Sequence, residues 1–248
     1  MQRQKKKLNK KQDQDQNVRK DFSKKMKTKS LIRWLFGCLI FFVSCRHASA
    51  PAVSSPATAD ISAARRAKID TVLSGMKKMV RSGDVVTRTG NDFTSQSLRS
   101  LNRRDQTFSH CGIASIEHDS LFIYHALGGE WNPDQALMRE SFEGFTDPVD
   151  NRAAGIFRFN IKEQYREKLI STVQELYLEK IKFDLAFDLK TDDKLYCAEF
   201  VYKSFLRATD STVRFNHSFI RDFEFIGVDD IILHPLCRKI AVFNYGIY

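Results

Sequence analysis

Apolar residues recur with helical spacing in three parts of the chain. In the first part they follow the i, i+3, i+4, i+7 rule that places side chains on one face of a helix. The positions concerned are Ile69, Val72, Leu73, Met76 and Val80. Asp60 can cap this helix and Gly83 can end it. Further helices are predicted over residues 163–181 and from about 195 to 206.

Four shorter apolar stretches predict β-strands. They cover residues 84–88, 108–116, 120–127 and 155–160, and the C-terminal residues add a loop and a last strand. The second and third strands are separated by Glu117, His118 and Asp119, which predicts a hairpin. We therefore expect one α+β domain over residues 61–248, in which helices flank an antiparallel sheet.

The first 45 residues have a different pattern. WLFGCLIFFV, from Trp34 to Val43, is an apolar run of ten residues, whereas about 20 are needed to span a bilayer. Basic residues precede it and small residues follow it, which is the layout of a signal peptide starting at Met26. The polar residues 1–25 are then a leader outside the signal. The alternative is an uncleaved anchor lying at the membrane interface.

Two processing sites compete after the apolar run. FVSC, ending at Cys45, resembles a bacterial lipobox, in which the cysteine is lipidated and becomes the new N-terminus. Ala48-Ser49-Ala50 resembles an ordinary secretion site, but Pro51 directly after it is unfavourable for cleavage. We therefore expect an exported lipoprotein of the bacterial cell envelope, anchored in the membrane by a lipid on Cys45. The Ala-, Ser- and Pro-rich residues 46–60 form a flexible tether.

The net charge does not indicate a nucleic-acid partner. The whole chain carries +10, but residues 1–45 hold 13 Lys and Arg and 3 Asp and Glu. The remaining 203 residues hold 27 of each kind, so the domain is neutral by this count. A basic surface that would neutralise a phosphate backbone is therefore not a property of the domain.

Three cysteines fall within the predicted domain: Cys111, Cys197 and Cys237. Their number is odd and no CxxC spacing occurs, which argues against a disulfide framework and against a structural zinc site. At least one thiol is left free.

Cys197 lies at the start of the last predicted helix. If Asp192 or Asp193 caps that helix, the cysteine falls in its first turn, where unpaired N–H groups stabilise negative charge. This position lowers a thiol pKa and provides donors for an oxyanion, an interaction commonly worth about 3 kcal/mol of barrier. The alternative is a buried thiol that fills core space.

His110 and His125 lie in two predicted strands that are otherwise apolar or small. If the hairpin loop between them has an even number of residues, both rings lie on one face of the sheet, as diagonal neighbours. One imidazole could then take a proton from Cys197 while the other orients it. The alternative is a pair of core histidines. His110 and Cys111 point to opposite faces and cannot share a zinc ion, so we expect neither a metal nor another cofactor.

These motifs together resemble a known family. GDVVTRTGNDFTSQSLRS, FSHCGIAS, LFIYHALGG and FDLAFDLKTDDKLYCAEFVYKSF are similar to segments of the permuted papain-like amidohydrolases of the YiiX/YaeF type, relatives of the NlpC-type cell-wall peptidases. In that family the histidine precedes the cysteine, which inverts the order in papain. The resemblance covers roughly residues 82–206. It implies a circularly permuted papain-like, NlpC-type fold.

The resemblance also implies roles for individual residues. Cys197 matches the nucleophile and His110 the base, whereas His125 stands where the family more often has a glutamate. Tyr196, beside the cysteine, could line the substrate cleft. Gly128 and Gly129 begin the segment GGEWNP, which follows the His125 strand and could form the rim of that cleft.

We therefore expect an envelope-facing cysteine hydrolase that cleaves an amide or ester bond through a thioester. Its substrate would be a peptidoglycan peptide or an N-acyl lipid of the envelope. Two alternatives stay open. One is an acyltransferase of the lecithin:retinol acyltransferase type, which passes the acyl group to an amine instead of water. The other is a non-catalytic lipoprotein that binds peptide or lipid in the same cleft.

Overall fold

A computed structural model describes residues 62–128, 132 and 134–246. They belong to a compact unit spanning Thr58–Tyr248. Cys45, Asp60 and Gly129 lie outside the described residues, as do the predicted signal segment and tether.

The described residues form six helices and eight strands. The helices are α1 (Ala63–Lys77), α2 (Phe93–Leu101), α3 (Phe142–Phe145), α4 (Glu163–Leu178), α5 (Cys197–Ala208) and α6 (Val228–Ile232). The strands are β1 (Val85–Gly90), β2 (His110–Glu117), β3 (Ser120–His125), β4 (Met138–Ser141), β5 (Asn151–Phe159), β6 (Ser218–Ile220), β7 (Phe223–Phe225) and β8 (Cys237–Asn244).

Six of the strands form one sheet in the order β4-β3-β2-β1-β5-β8. Every neighbouring pair in it is antiparallel. Strands β6 and β7 form a separate small hairpin. The α+β class and the antiparallel sheet flanked by helices are thereby confirmed.

A two-residue turn joins β2 to β3 and fixes their register. His118 and Asp119 have φ angles of 48° and 63°, as a type I′ hairpin turn requires. The pairing runs from Glu117 opposite Ser120 to Ile113 opposite Tyr124. Because the loop has an even number of residues, even-numbered residues of β2 share a face with odd-numbered residues of β3, as Ala114 does with Ile123.

The two faces of the sheet contribute to two separate apolar clusters. Helices α4 and α5 cover one face, where Leu169, Val173 and Phe200 pack with strand residues such as Ile113. Helix α1 covers the other face through Ile69, Leu73 and Met76, which belong to a cluster with Val86, Ala114, Ile123 and Ile156. Burial of these apolar faces is the main force that holds the layers together. No helix in the described part of the chain is both long and apolar enough to cross a membrane.

The prediction that Gly83 ends the first helix is wrong. The helix ends at Lys77, and it begins after Ser62, whose hydroxyl accepts the N–H of Arg65. Gly83 has a φ angle of +84°, a conformation that glycine adopts without strain, and it lies in the turn before β1. There its N–H donates to the carbonyl of Ala114 on β2 at 2.8 Å.

A buried ion pair fixes the start of β1. Asp84, with no exposed surface, meets the guanidinium of Arg158 on β5 through two bonds of 2.7 and 2.6 Å. Its carboxylate also accepts the N–H of Arg81 at 2.8 Å. The guanidinium donates in addition to the carbonyl of Met79 at 2.8 Å. These bonds join the turn after α1 to the centre of the sheet.

Several short elements were not predicted from the sequence. They are β4, α3, the β6-β7 hairpin and α6. Each has at most five residues, which is too short for a hydrophobic period to become visible.

Candidate functional site

Cys197 is the first residue of α5, and the start of this helix is organised differently from the prediction. Tyr196 is the N-cap residue, and its N–H donates to the Glu199 carboxylate at 3.2 Å. The predicted cap by Asp192 or Asp193 is therefore wrong. Asp192 instead pairs with the ammonium of Lys203, 2.6 Å away. The placement of Cys197 in the first turn agrees with the sequence argument.

Strands β2 and β3 cease to pair near Cys111, which belongs to the same apolar cluster as Cys197. The N–H of Ala114 points to β1, because it donates to the carbonyl of Asp84 at 2.9 Å. The N–H groups of successive residues in a strand point alternately to its two neighbours. The N–H of Cys111, three positions before Ala114, is therefore directed towards β3. The pairing with β3 ends at Ile113, so the N–H of Cys111 has no strand partner there. A hydrogen bond from this N–H is among the causes that lower the pKa of the Cys197 thiol.

The surroundings of Cys197 lower its thiol pKa. The largest cause is a hydrogen bond with the thiol of Cys111, followed by the opposing effect of burial. The N–H groups of Cys111, Ala198 and Cys197 itself lower the pKa further. The pKa of the Cys111 thiol is raised well above its usual value, first by the same hydrogen bond and then by burial. Of the two thiols, the one at the helix start therefore loses its proton more readily.

His110 and His125 contact each other on the α1 face of the sheet. Nε2 of His110 is 2.8 Å from Nδ1 of His125, and the rings are nearly perpendicular. On the other side of His125, Nε2 lies 3.2 Å from a carboxylate oxygen of Glu140, although the two atoms are not aligned as a hydrogen bond. A series of polar contacts thus runs from His110 through His125 to Glu140.

Both imidazoles have a lowered pKa. Burial is the largest cause for His110, followed by the positive charge of Arg88 and by His125. Burial also lowers the pKa of His125, while contact with Glu140 raises it in part. Both rings are consequently neutral near pH 7, and a neutral ring is the form that can accept a proton.

The ring of His110 does not contact the sulfur of Cys197 through a hydrogen bond within the described residues. His110 and Cys111 are consecutive residues of β2, so their side chains leave opposite faces of the sheet. Cys197 is the first residue of α5, and His110 is the first residue of β2. Nε2 of His110 is occupied by His125. Nδ1 is therefore the nitrogen left to approach the sulfur.

Arg88 and Phe145 complete the surroundings of the two histidines. Arg88 stands opposite His110 in the β1-β2 pairing and donates to the carbonyl of Phe145 at 3.3 Å. Its charge interacts with Glu140 and with Cys197. The ring of Phe145 lies 5.7 Å from that of His110 and 5.1 Å from that of His125. A phenyl ring at this position excludes water from one side of the pair.

Sequence reasoning missed Glu140, Arg88 and Phe145. An arginine among the apolar residues of a predicted strand was a usable indication for Arg88. Glu140 and Phe145 lie on short elements without a visible pattern, and only the pairing of β4 with β3 brings Glu140 to His125.

Tyr196 and Gly128, which were expected to line the substrate cleft, pack against other residues of the domain. Tyr196 is only 2% exposed, and its hydroxyl accepts the N–H of Ile226 at 2.8 Å. Its ring packs on Phe187, so the side chain lies in the core. Gly128 is half-buried against Phe183, whose ring a Cβ at this position would meet at 2.6 Å.

The site does not contain a cluster of metal ligands within the described part of the chain. No group of three or more His, Cys, Asp or Glu side chains that could bind a metal ion occurs among residues 62–128, 132 and 134–246.

Comparison with known proteins supports the fold alone. No family model matches the chain. No curated protein matches it either. A solved structure that it resembles is that of the metalloprotein YiiX from Escherichia coli O157:H7, with a TM-score of 0.53 and 14% sequence identity. The match covers 65% of this chain and 96% of that one. The chain thus has a YiiX-like fold.

Proposed function

We propose that this chain is a cysteine hydrolase that cleaves an amide or ester bond through a thioester on Cys197. The observation that carries the proposal is the position of this sulfur. Cys197 is the first residue of a helix, where unpaired main-chain N–H groups favour negative charge, and the contacting histidines lie at the start of β2 and the end of β3. Few core cysteines have such surroundings, because packing alone does not require a lowered thiol pKa.

The reaction begins with proton transfer from the Cys197 thiol to Nδ1 of His110. The thiolate attacks the substrate carbonyl, forming an S–C bond and a tetrahedral oxyanion. N–H groups of Cys111, Cys197 and Ala198 are available to stabilise this negative charge. As the carbonyl re-forms, His110 donates its proton to the departing amine or alcohol, leaving a thioester. Water then attacks the thioester with His110 again acting as base.

His125 and Glu140 act on His110 in this scheme. The 2.8 Å contact fixes the ring of His110 and determines which of its nitrogens carries the proton. Positive charge on His110 during proton transfer spreads towards His125 and the carboxylate of Glu140. The scheme requires that Nδ1 of His110 reaches the Cys197 sulfur when substrate is bound. Catalytic hydrogen bonds are often formed only when substrate is bound.

The proposed substrate class and location rest on the sequence motifs and are compatible with the YiiX-like fold. We propose a circularly permuted papain-like domain that is anchored through lipid on Cys45 and faces the bacterial cell envelope. Its substrate would be a peptidoglycan stem peptide or an N-acyl lipid. YiiX is described as a metalloprotein. The reaction proposed for this chain uses only the chain's own side chains and main-chain N–H groups.

The test is an activity screen of the full-length protein. Peptidoglycan fragments and N-acyl lipids are incubated with the native protein and with the Cys197→Ala and Cys237→Ala variants. Release of a free amine by the native protein and by Cys237→Ala, but not by Cys197→Ala, is expected. Equal release by Cys197→Ala would overturn the proposal. A parallel reaction with an added amine acceptor separates hydrolysis from acyl transfer, because a transferase gives the new amide.

A non-catalytic binding protein is the second candidate. It is favoured by one observation: His110 bonds to His125 and, within the described residues, not to Cys197. If the screen finds tight binding of a fragment without product, and if Cys197→Ala binds it equally well, this second function is the better one.

A further inference from the structure

We propose that Arg88 is a specificity-determining residue: its guanidinium binds an anionic group, a carboxylate or a phosphate, that the substrate carries beside the bond to be cleaved. The inference rests on the proposed function and deepens it, because it names a chemical group that the substrate must have. The reaction scheme gives Arg88 no task, although its side chain lies among the residues that surround the two histidines.

Arg88 lies on the same face of the sheet as His110 and close to it. The two residues are direct partners in the antiparallel pairing of β1 with β2. Side chains of direct partners share a face, and their Cβ atoms are about 5 Å apart. An anion bound to the guanidinium would therefore lie beside the histidine that transfers the proton.

The guanidinium of Arg88 is held at one side and open at the other. One terminal nitrogen donates to the carbonyl of Phe145 at 3.3 Å, and the central carbon lies 4.8 Å from the centre of the Phe145 ring. The remaining nitrogens have no hydrogen-bond partner within the described residues. They are not among the enclosed polar atoms either, so they are open to solvent. A ligand can therefore reach them without displacing a protein partner.

Arg88 has no counter-ion in direct contact among the described residues. By contrast, the guanidinium of Arg158 meets the carboxylate of Asp84 at 2.6 Å. Burial lowers the pKa of Arg88, because a partly buried charge without a counter-ion is unfavourable. The carboxylates that oppose this effect act only through their charge; they are those of Glu140, Asp150 and Asp92. A substrate anion would supply the missing contact.

The chemistry of the guanidinium defines the group that it would bind. Its planar arrangement of N–H donors matches the two oxygens of a carboxylate or a phosphate, and such paired hydrogen bonds give both affinity and orientation. Both proposed substrate classes can supply this group. A peptidoglycan stem peptide carries free carboxylates, and an N-acyl phospholipid carries a phosphate. An uncharged amide would leave the guanidinium without a partner.

The experiment compares two alkylating reagents at Cys197 in the full-length protein. Iodoacetate carries a carboxylate, whereas iodoacetamide has nearly the same shape and no charge. Peptide mass spectrometry gives the rate at Cys197 for each reagent at neutral pH. The ratio of the two rates reports the attraction for the carboxylate, because a change in the ionisation of Cys197 affects both rates equally. We expect Arg88→Gln to lower this ratio about tenfold, the lower end of what a hydrogen bond to a charged group contributes.

Two further variants separate the guanidinium from its charge and its position. Arg88→Lys retains the charge without the planar donors and should lower the ratio about threefold. Arg152→Gln is the matched control, because Arg152 is also half-buried and donates to a main-chain carbonyl, that of Asn91, at 3.3 Å. It lies on β5, which β1 separates from the strand of His110. We expect Arg152→Gln to change the ratio less than about twofold, since charges at a distance are screened by salt.

Protection of Cys197 from iodoacetamide identifies the source of the anion. A stem peptide with a free glutamate carboxylate is compared with the same peptide in which that carboxylate is an amide. In the second pair, an N-acyl phosphatidylethanolamine is compared with the uncharged N-acylethanolamine. The charged member should protect better in one of the two pairs, and Arg88→Gln should abolish its advantage.

Three results would overturn the inference. They are an unchanged ratio in Arg88→Gln, an equal decrease in Arg152→Gln, and equal protection by the charged and uncharged members of both pairs. None of these measurements requires turnover of a substrate. A positive result together with a negative activity screen would therefore reject the proposed hydrolase while retaining the anion-binding role of Arg88.

Discussion

Replacement of Asp84 by alanine gives the clearest test of how the sheet is held together. The change removes both bonds to the Arg158 guanidinium, whose side chain is only 8% exposed, and leaves its charge buried without a counter-ion. Loss of one partner of a buried pair typically costs about 3–5 kcal/mol. The guanidinium keeps its bond to the carbonyl of Met79, so we expect the lower end, about 3 kcal/mol.

The assay is urea unfolding of the full-length native and Asp84→Ala proteins, followed by tryptophan fluorescence and circular dichroism. A double variant, Asp84→Leu with Arg158→Met, removes both charges and should lose less stability than Asp84→Ala alone. The rate at which iodoacetamide alkylates Cys197 should not change under folding conditions, because Asp84 lies four residues before Arg88, about 13 Å along the strand. A loss below about 1 kcal/mol for Asp84→Ala would refute the reasoning.

Three further predictions concern the pH dependence and the polar contacts of the site. The pKa of buried His110 is lowered from its unfolded value of 6.5, so the stability that its neutral ring contributes is complete above pH 6.5 and is lost as the pH falls. The free energy of unfolding should therefore differ less between pH 7 and pH 5 for His110→Gln than for the native protein. Glu140→Gln removes the carboxylate beside His125 and should slow turnover of any confirmed substrate about tenfold, with an unchanged near-ultraviolet spectrum. Lys203→Met removes the ammonium that lies 2.9 Å from the buried Glu199 carboxylate. Burial is the chief cause that raises the pKa of Glu199 to about 7, so this carboxylate is mostly charged at pH 8 and mostly protonated at pH 6. The loss of stability should therefore be about 3 kcal/mol at pH 8 and smaller at pH 6.

The hairpin shows what sequence patterns can predict. The relation between His110 and His125 depends only on the parity of a two-residue turn, and the local residues determine that parity. The class of the fold follows in the same way from the helical and strand patterns. The placement of Cys197 at a helix start was predictable from the apolar positions that follow it.

The parts that could not be predicted depend on distant residues. The Glu140 contact requires that β4 pair with β3, although the four residues of β4 show no alternation. The start of α5 is fixed by Glu199 reaching back to Tyr196, whereas the sequence offered two aspartates that prefer cap positions. Tyr196 is buried because its hydroxyl meets the N–H of Ile226, thirty positions further along the chain.

Acylation by an activated ester tests the central claim most directly, because it requires no knowledge of the natural substrate. The full-length protein is mixed with p-nitrophenyl acetate at neutral pH and quenched within seconds, and its peptides are mapped by mass spectrometry. The account predicts an acetyl group on Cys197, accumulating more slowly in His110→Ala. Acetylation of Cys237 or Cys111, with Cys197 unmodified, would contradict it.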